Sequence, residues 1–159
     1  MKNSLQSATA AFSEDAGKFL LRAAVAVAIF PHGAQKVLGA FGGSGLEATW
    51  TGFTEKLGIP APLAGAAIFT EFVVPILLIL GVFPRVCAAL LVVLMAGAAR
   101  YHLENGFFMN WSGKQPGEGV EYHLLFIGAA LALVLFGGGR FTLSNLFARG
   151  NGAPESDEQ

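Results

Sequence analysis

The chain has 159 residues, of which 53% are hydrophobic and only 13% charged, with a net charge of −1 at neutral pH. An average soluble domain is about 25% charged; the near-zero net charge removes any electrostatic case for nucleic acid or for strong attraction to an anionic lipid surface. The single cysteine, Cys87, excludes an intrachain disulfide, a Cys-based zinc site and dithiol exchange, and its apolar surroundings read as those of a small buried hydrophobe.

Apolar blocks long enough to cross a bilayer, about 17–25 residues each, dominate the sequence. Residues 1–18 are small and polar and read as a cytoplasmic tail with at most a short surface helix. The first span is expected at about residues 19–38. Glu14 and Asp15 precede it, and Arg22, His32 and Lys36 interrupt or follow it, so it reads as a retained anchor rather than a cleaved leader. Ser44 and Glu47 then have the spacing of a capping box. Leu46, Trp50, Phe53 and Leu57 recur on one helical face, and Gly58 and Pro60 supply a stop. A short amphipathic helix over 45–57 is expected, lying in the membrane interface or packed on the mouth of the bundle.

The second span is expected at about 61–83 and the third at about 85–103, joined by so short a turn that they must be antiparallel neighbours. The fourth, at about 122–136, ends at the glycines 137–139; residues 148–159 read as a disordered tail. The expected fold is therefore an all-α membrane protein: a four-helix antiparallel transmembrane bundle, residues 19–147, with a short interfacial helix between spans one and two. Four crossings put both ends on one side. Lys2, Lys18, Arg22, Arg85, Arg140 and Arg149 fall on that side, against Lys36, Lys56, Arg100 and Lys114 on the other. The excess places both termini in the cytoplasm of a bacterial inner membrane.

Function in such a bundle is written in its intramembrane polar groups, because a charge near a helix centre costs about 2.5–3.5 kcal/mol on the insertion scale. Glu71 lies 11 residues past Pro60, roughly 16 Å into the second span. A proline at 75 cannot donate the helical hydrogen bond to the Glu71 carbonyl. A carboxyl and a free carbonyl at one depth suit a ligand, an ion or a partner side chain. On the first helix, Lys36 and His32 are in reach of Glu71, and Gly33 permits close helix approach. Arg22 and Lys36 also have a plain alternative, snorkelling to the two interfaces.

His32, His102 and His123 gather toward one membrane face, with Gln35, Lys36, Arg100, Glu104 and Glu121. If these point inward, a polar chamber lies above Glu71. Glu121 and His123, two apart on a helix, cannot both line it; Glu121 is the expected member. No histidine spacing matches a ligand pair such as i, i+4, so no metal site is expected. Phe107, Phe108 and Trp111 form an aromatic cluster before the fourth span, belonging to the interface belt or able to stack on a flat ring entering from lipid. The candidate ligand-binding residues are Arg22, His32, Gln35, Lys36, Glu71, Arg100 and Glu121; no catalytic residue is assigned.

Five short stretches resemble a known family in order: Arg22 with Pro31, His32, Gly33, Gln35 and Lys36; Thr70 and Glu71 with Gly81, Pro84 and Arg85; Asn105, Gly106, Phe107 and Phe108; Gly119, Glu121 and Tyr122; and Gly137, Gly139, Arg140 and Ser144. Together they resemble the DoxX family over about residues 18–147. The resemblance implies a four-helix membrane protein of bacteria or archaea. The family is named for a small subunit of a quinone-linked thiosulfate oxidoreductase. Its members often have Asp after the final Ser, where this chain has Asn145.

The resulting expectation is a subunit or accessory of a membrane oxidoreductase system that binds a quinone-like lipophilic partner around Glu71. It carries no redox cofactor of its own, so any catalysis would be as a quinone-linked subunit with a membrane or soluble redox enzyme as partner. The alternatives are a structural or assembly partner of a membrane complex and a small-molecule carrier. Nothing in the sequence sets the oligomeric state.

Overall fold

The computed structural model describes residues 2–145. Helix α1 runs Lys2–Leu38, continuous over 37 residues. The polar amino-terminal stretch is thus not a separate tail but the first turns of the same helix, helped by helix-favouring Ala, Leu, Gln and Glu residues and by the Glu14–Lys18 pair one turn apart at 2.5 Å. A short turn follows, with a 3₁₀ segment at Ala40–Gly42. Helix α2, Gly45–Thr51, continues into a π-helical turn at Gly52–Lys56, so the expected helix over 45–57 is present. Its axis lies 95° from that of α1. The capping box does not form: Ser44 makes no side-chain cap, because its own backbone is already helical.

Helix α3, Ala61–Leu80, has Pro60 before it and stops at Gly81 in the left-handed region, φ 75°. A three-residue turn leads to α4, Pro84–Arg100, and a loop containing a 3₁₀ turn at Leu103–Asn105 leads to α5, Glu121–Phe136. The last two helices are shorter than an ideal span, at 17 and 16 residues. On length and composition α3 alone qualifies to cross a bilayer, and α1 qualifies together with the bent segment that follows it. The expected tail at 148–159 lies outside the described residues.

In cross-section the four long helices follow the order α1, α3, α4, α5. The α1–α3 and α4–α5 seams are the most extensive, and the α5–α1 seam is the sparsest. Val25, Ile29, Val74, Leu78, Leu91, Met95, Phe126 and Leu133 form one buried core among all four. The outside is as apolar as the inside. Only 39% of the α3 window is buried, and Val27, Phe69, Val93, Leu125 and Leu135 are more than half exposed. A water-soluble protein rarely carries so large an apolar girdle.

Candidate functional site

Two polar clusters stand at opposite ends of the bundle. One is a cavity of about 470 Å³ among the four long helices. Its apolar walls are Ala28 and Ile29 of α1 and Leu94, Met95 and Ala98 of α4. Its polar groups are His32 and Lys36 of α1, Glu71 of α3, His102 after α4, Glu118 of the long loop, and Tyr122 and His123 of α5.

Lys36 reaches across the α1–α3 seam and pairs with Glu71: Nζ donates to Oε2. Both ends of the pair are largely covered, with side-chain exposures of 27% and 11%. Gly33, one turn before Lys36, makes this possible. A Cβ there would collide with the Glu71 carbonyl and with Phe72 Cα. The α1 backbone therefore lies directly on α3, where only glycine fits. It also covers the carbonyl that Pro75 frees, so that carbonyl is not presented to a ligand as the sequence had suggested. The carboxylate is presented to the cavity instead.

Above the pair, the rings of His102 and His123 lie 4.7 Å apart, centroid to centroid, tilted by 36°. His102 Nδ1 is 3.1 Å from the Glu118 carbonyl oxygen, which also accepts from Asn105 Nδ2 at 3.1 Å. A carbonyl only accepts, so Nδ1 of His102 carries the proton. His123 is buried, its Nδ1 makes no hydrogen bond, and the Gly119 backbone lies close to the ring. Among the described residues no group of three or more His, Cys, Asp or Glu side chains is placed to hold a metal ion.

The other expected residues fall elsewhere. Glu121 does not line the chamber; its Oε2 accepts from Met109 N at 3.1 Å and braces the loop. His123 takes the place assigned to it. His123 is in register with the buried stripe Phe126, Ala130 and Leu133, but α5 is apolar on every side, so its sequence shows no preferred face. Gln35 donates to the Phe41 carbonyl at 3.3 Å and fastens the turn after α1. Arg100 is exposed at the end of α4, outside the cavity. Phe107, Phe108 and Trp111 are exposed and do not line it either. Glu118 and Tyr122 are chamber residues that the sequence did not mark; both sit in or beside a loop whose path only tertiary contacts determine.

Arg22 belongs to the second cluster, at the far end. It is 1% exposed and does not snorkel. Its Nη1 donates to the Gly138 carbonyl at 2.8 Å, and its Nη2 to those of Ile79 at 3.2 Å and Phe141 at 2.5 Å. Ile79 lies in the last turn of α3, whose carbonyls lack helical partners. Gly81 accepts there from Ser144 Oγ at 2.8 Å, and a Cβ on Gly81 would lie 2.6 Å from Thr142 Cα. The glycine-rich segment after α5 thus folds back over the α3–α4 turn, and Arg22 binds the three parts together. This cluster holds the bundle end, with Arg22 itself fully covered.

A second cleft, about 670 Å³, lies between α2 and the α1–α3 pair. Leu46 and Trp50 face Val37, Phe69 and Phe72 across it. It is larger than the chamber but nearly all apolar, so it offers nothing to orient a reacting group.

The family model for DoxX matches residues 17–111. No curated protein and no solved structure matches the chain. The matched stretch runs from the Arg22 end of α1 through α4 to the aromatic loop and includes both partners of the Lys36–Glu71 pair; covering more than half of the chain, it makes this protein a member of the DoxX family of membrane proteins.

Proposed function

We propose that this chain crosses a bacterial inner membrane four times, with both termini cytoplasmic, and binds the head of a quinone-like lipophilic molecule in the chamber around Glu71. In this reading it serves as a subunit or accessory of a membrane oxidoreductase system, with a membrane or soluble enzyme supplying the redox centre. The observation that carries the reading is the chamber: a ligand-sized space with apolar walls on α1 and α4 facing the Lys36–Glu71 pair and three histidines. Ligand sites have this composition, mostly apolar with a few convergent polar groups. A carboxylate in the middle of an apolar helix, as Glu71 is in α3, is a functional mark by default in a membrane bundle. The sparse α5–α1 seam offers a lipophilic molecule a lateral way in.

The test is binding of a short-chain quinone to the purified protein in lipid nanodiscs. Wild type is expected to bind saturably, and Glu71→Gln to weaken binding about tenfold, the worth of one charge-assisted hydrogen bond. Absence of saturable binding, with unchanged respiratory electron flow on deletion, would overturn the reading. A second reading, an assembly partner whose charges serve only helix register, is favoured by the internal satisfaction of the Glu71 carboxylate by Lys36. It expects Glu71→Gln to change stability and partner recovery alone.

A further inference from the structure

The paired chamber histidines, His102 and His123, carry more information than their presence. The tautomer of His102 follows from its Nδ1 contact with the Glu118 carbonyl at 3.1 Å. In the neutral ring Nε2 is then a bare lone pair. His123 has the Gly119 backbone close to its ring and its buried Nδ1 without a well-formed hydrogen bond; with the proton on Nδ1 its Nε2 is likewise an acceptor. Neither Nε2 makes a hydrogen bond among the described residues. Two acceptor rings thus stand 4.7 Å apart at the wall of one cavity.

The surrounding groups do not supply the missing donor. From α1, Lys36 is committed to Glu71 of α3, and His32 stands at the exposed rim. The α4 wall is apolar, with Arg100 outside it. From the loop, the Glu118 side chain accepts from Asn110 N, and Glu121 from Met109 N. Tyr122 packs edge-on to the His123 ring at 6.0 Å. An imidazole lone pair that meets no donor within the protein is free to accept one from a ligand.

We infer that the His102–His123 pair accepts a hydrogen bond from a ligand hydroxyl, so that the chamber selects a flat ring bearing an O–H over the same ring without it. His123 is the acceptor, and His102, held by the Glu118 carbonyl, is a positioning residue that shares the proton. This rests on the chamber being a ligand site, and it goes further by assigning the ligand a donor hydroxyl.

The experiment compares 2-naphthol with 2-methoxynaphthalene, in which a methyl group replaces the donor hydrogen. Binding is measured to the full chain in nanodiscs, with empty nanodiscs and the cavity-filling Ala98→Trp variant as baselines. Wild type is expected to bind 2-naphthol about tenfold more tightly, the effect of one hydrogen bond. His123→Phe and, separately, His102→Phe should bring that ratio to within about twofold while leaving 2-methoxynaphthalene bound. Equal binding of the two probes above both baselines would overturn the inference and leave the chamber reading standing. No binding of either probe above the baselines would overturn both.

Discussion

At the scale of single residues, Arg22, which is buried, and Lys36, which is mostly covered, do different work on α1. Lys36 meets a carboxylate, whereas Arg22 meets three carbonyl oxygens. Removing one member of a covered pair leaves the other charge uncompensated. Lys36→Met and Glu71→Gln should each destabilise the protein, by about 1–3 kcal/mol once partial exposure is allowed for. The double variant should lie closer to wild type than the sum of the two, as read by a double-mutant cycle on detergent-solubilised protein. At Arg22 the planar fork is the essential feature. An ammonium cannot reach three divergent carbonyls from one point, so Arg22→Lys should lose about 3 kcal/mol despite keeping the charge. Thermal unfolding in micelles measures this, and a wild-type-like midpoint for Arg22→Lys would contradict the arrangement.

At the scale of elements, the α1–α3 seam depends on one glycine. Gly33 lies where any side chain would meet α3 backbone rather than a movable side chain. Gly33→Leu should therefore separate the helices, break the Lys36–Glu71 pair and lower stability by about 3 kcal/mol or more; even Gly33→Ala should cost about 1–3 kcal/mol. By contrast, glycine at 97 or 128 has nothing near a Cβ, and alanine there should be neutral or slightly stabilising. A stability ranking of these variants checks the contrast directly. Pro31 of α1 and Pro75 of α3 both lie within continuous helix, so neither ends its element; packing by the neighbouring helices maintains the fold through them.

For the whole molecule, the two polar ends divide the labour. The Arg22 end ties the α3–α4 turn to the glycine-rich segment after α5, and the chamber end holds the ionisable groups. If the chain crosses four times, these ends face opposite sides of the membrane. In a Cys87→Ala background, Ser112→Cys should be labelled by a membrane-impermeant thiol reagent in intact cells. Gln6→Cys should be labelled only in inverted membranes. Labelling of both positions from one side would contradict the four-crossing topology. Cys87 itself is buried, with its Sγ donating to the Val82 carbonyl at 3.2 Å, so the unmodified chain should resist the reagent from either side.

Much of this was legible in the residues alone. Apolar blocks, glycine and proline stops and the i, i+4 pattern of Leu46 and Trp50 located the apolar part of each α-helix to within a few residues, because each depends on local periodicity and local breakers. A charge in an apolar block needs a partner, which marked His32 and Lys36 as candidates for Glu71; only the folded chain chose Lys36 over His32. Three further things required the folded chain. The amino-terminal stretch is helix because it continues an existing helix, which removes the cost of nucleation that a free segment would face. His123 rather than Glu121 faces the chamber because α5 has no polar face, and only its packing on α4 sets its rotation. Arg22 is a lock and not a ligand group because its partners lie 57, 116 and 119 residues away in sequence. Local composition determined which segments are helical and apolar; the rotation of each helix about its axis, and hence which polar groups meet, was decided only when the four came together.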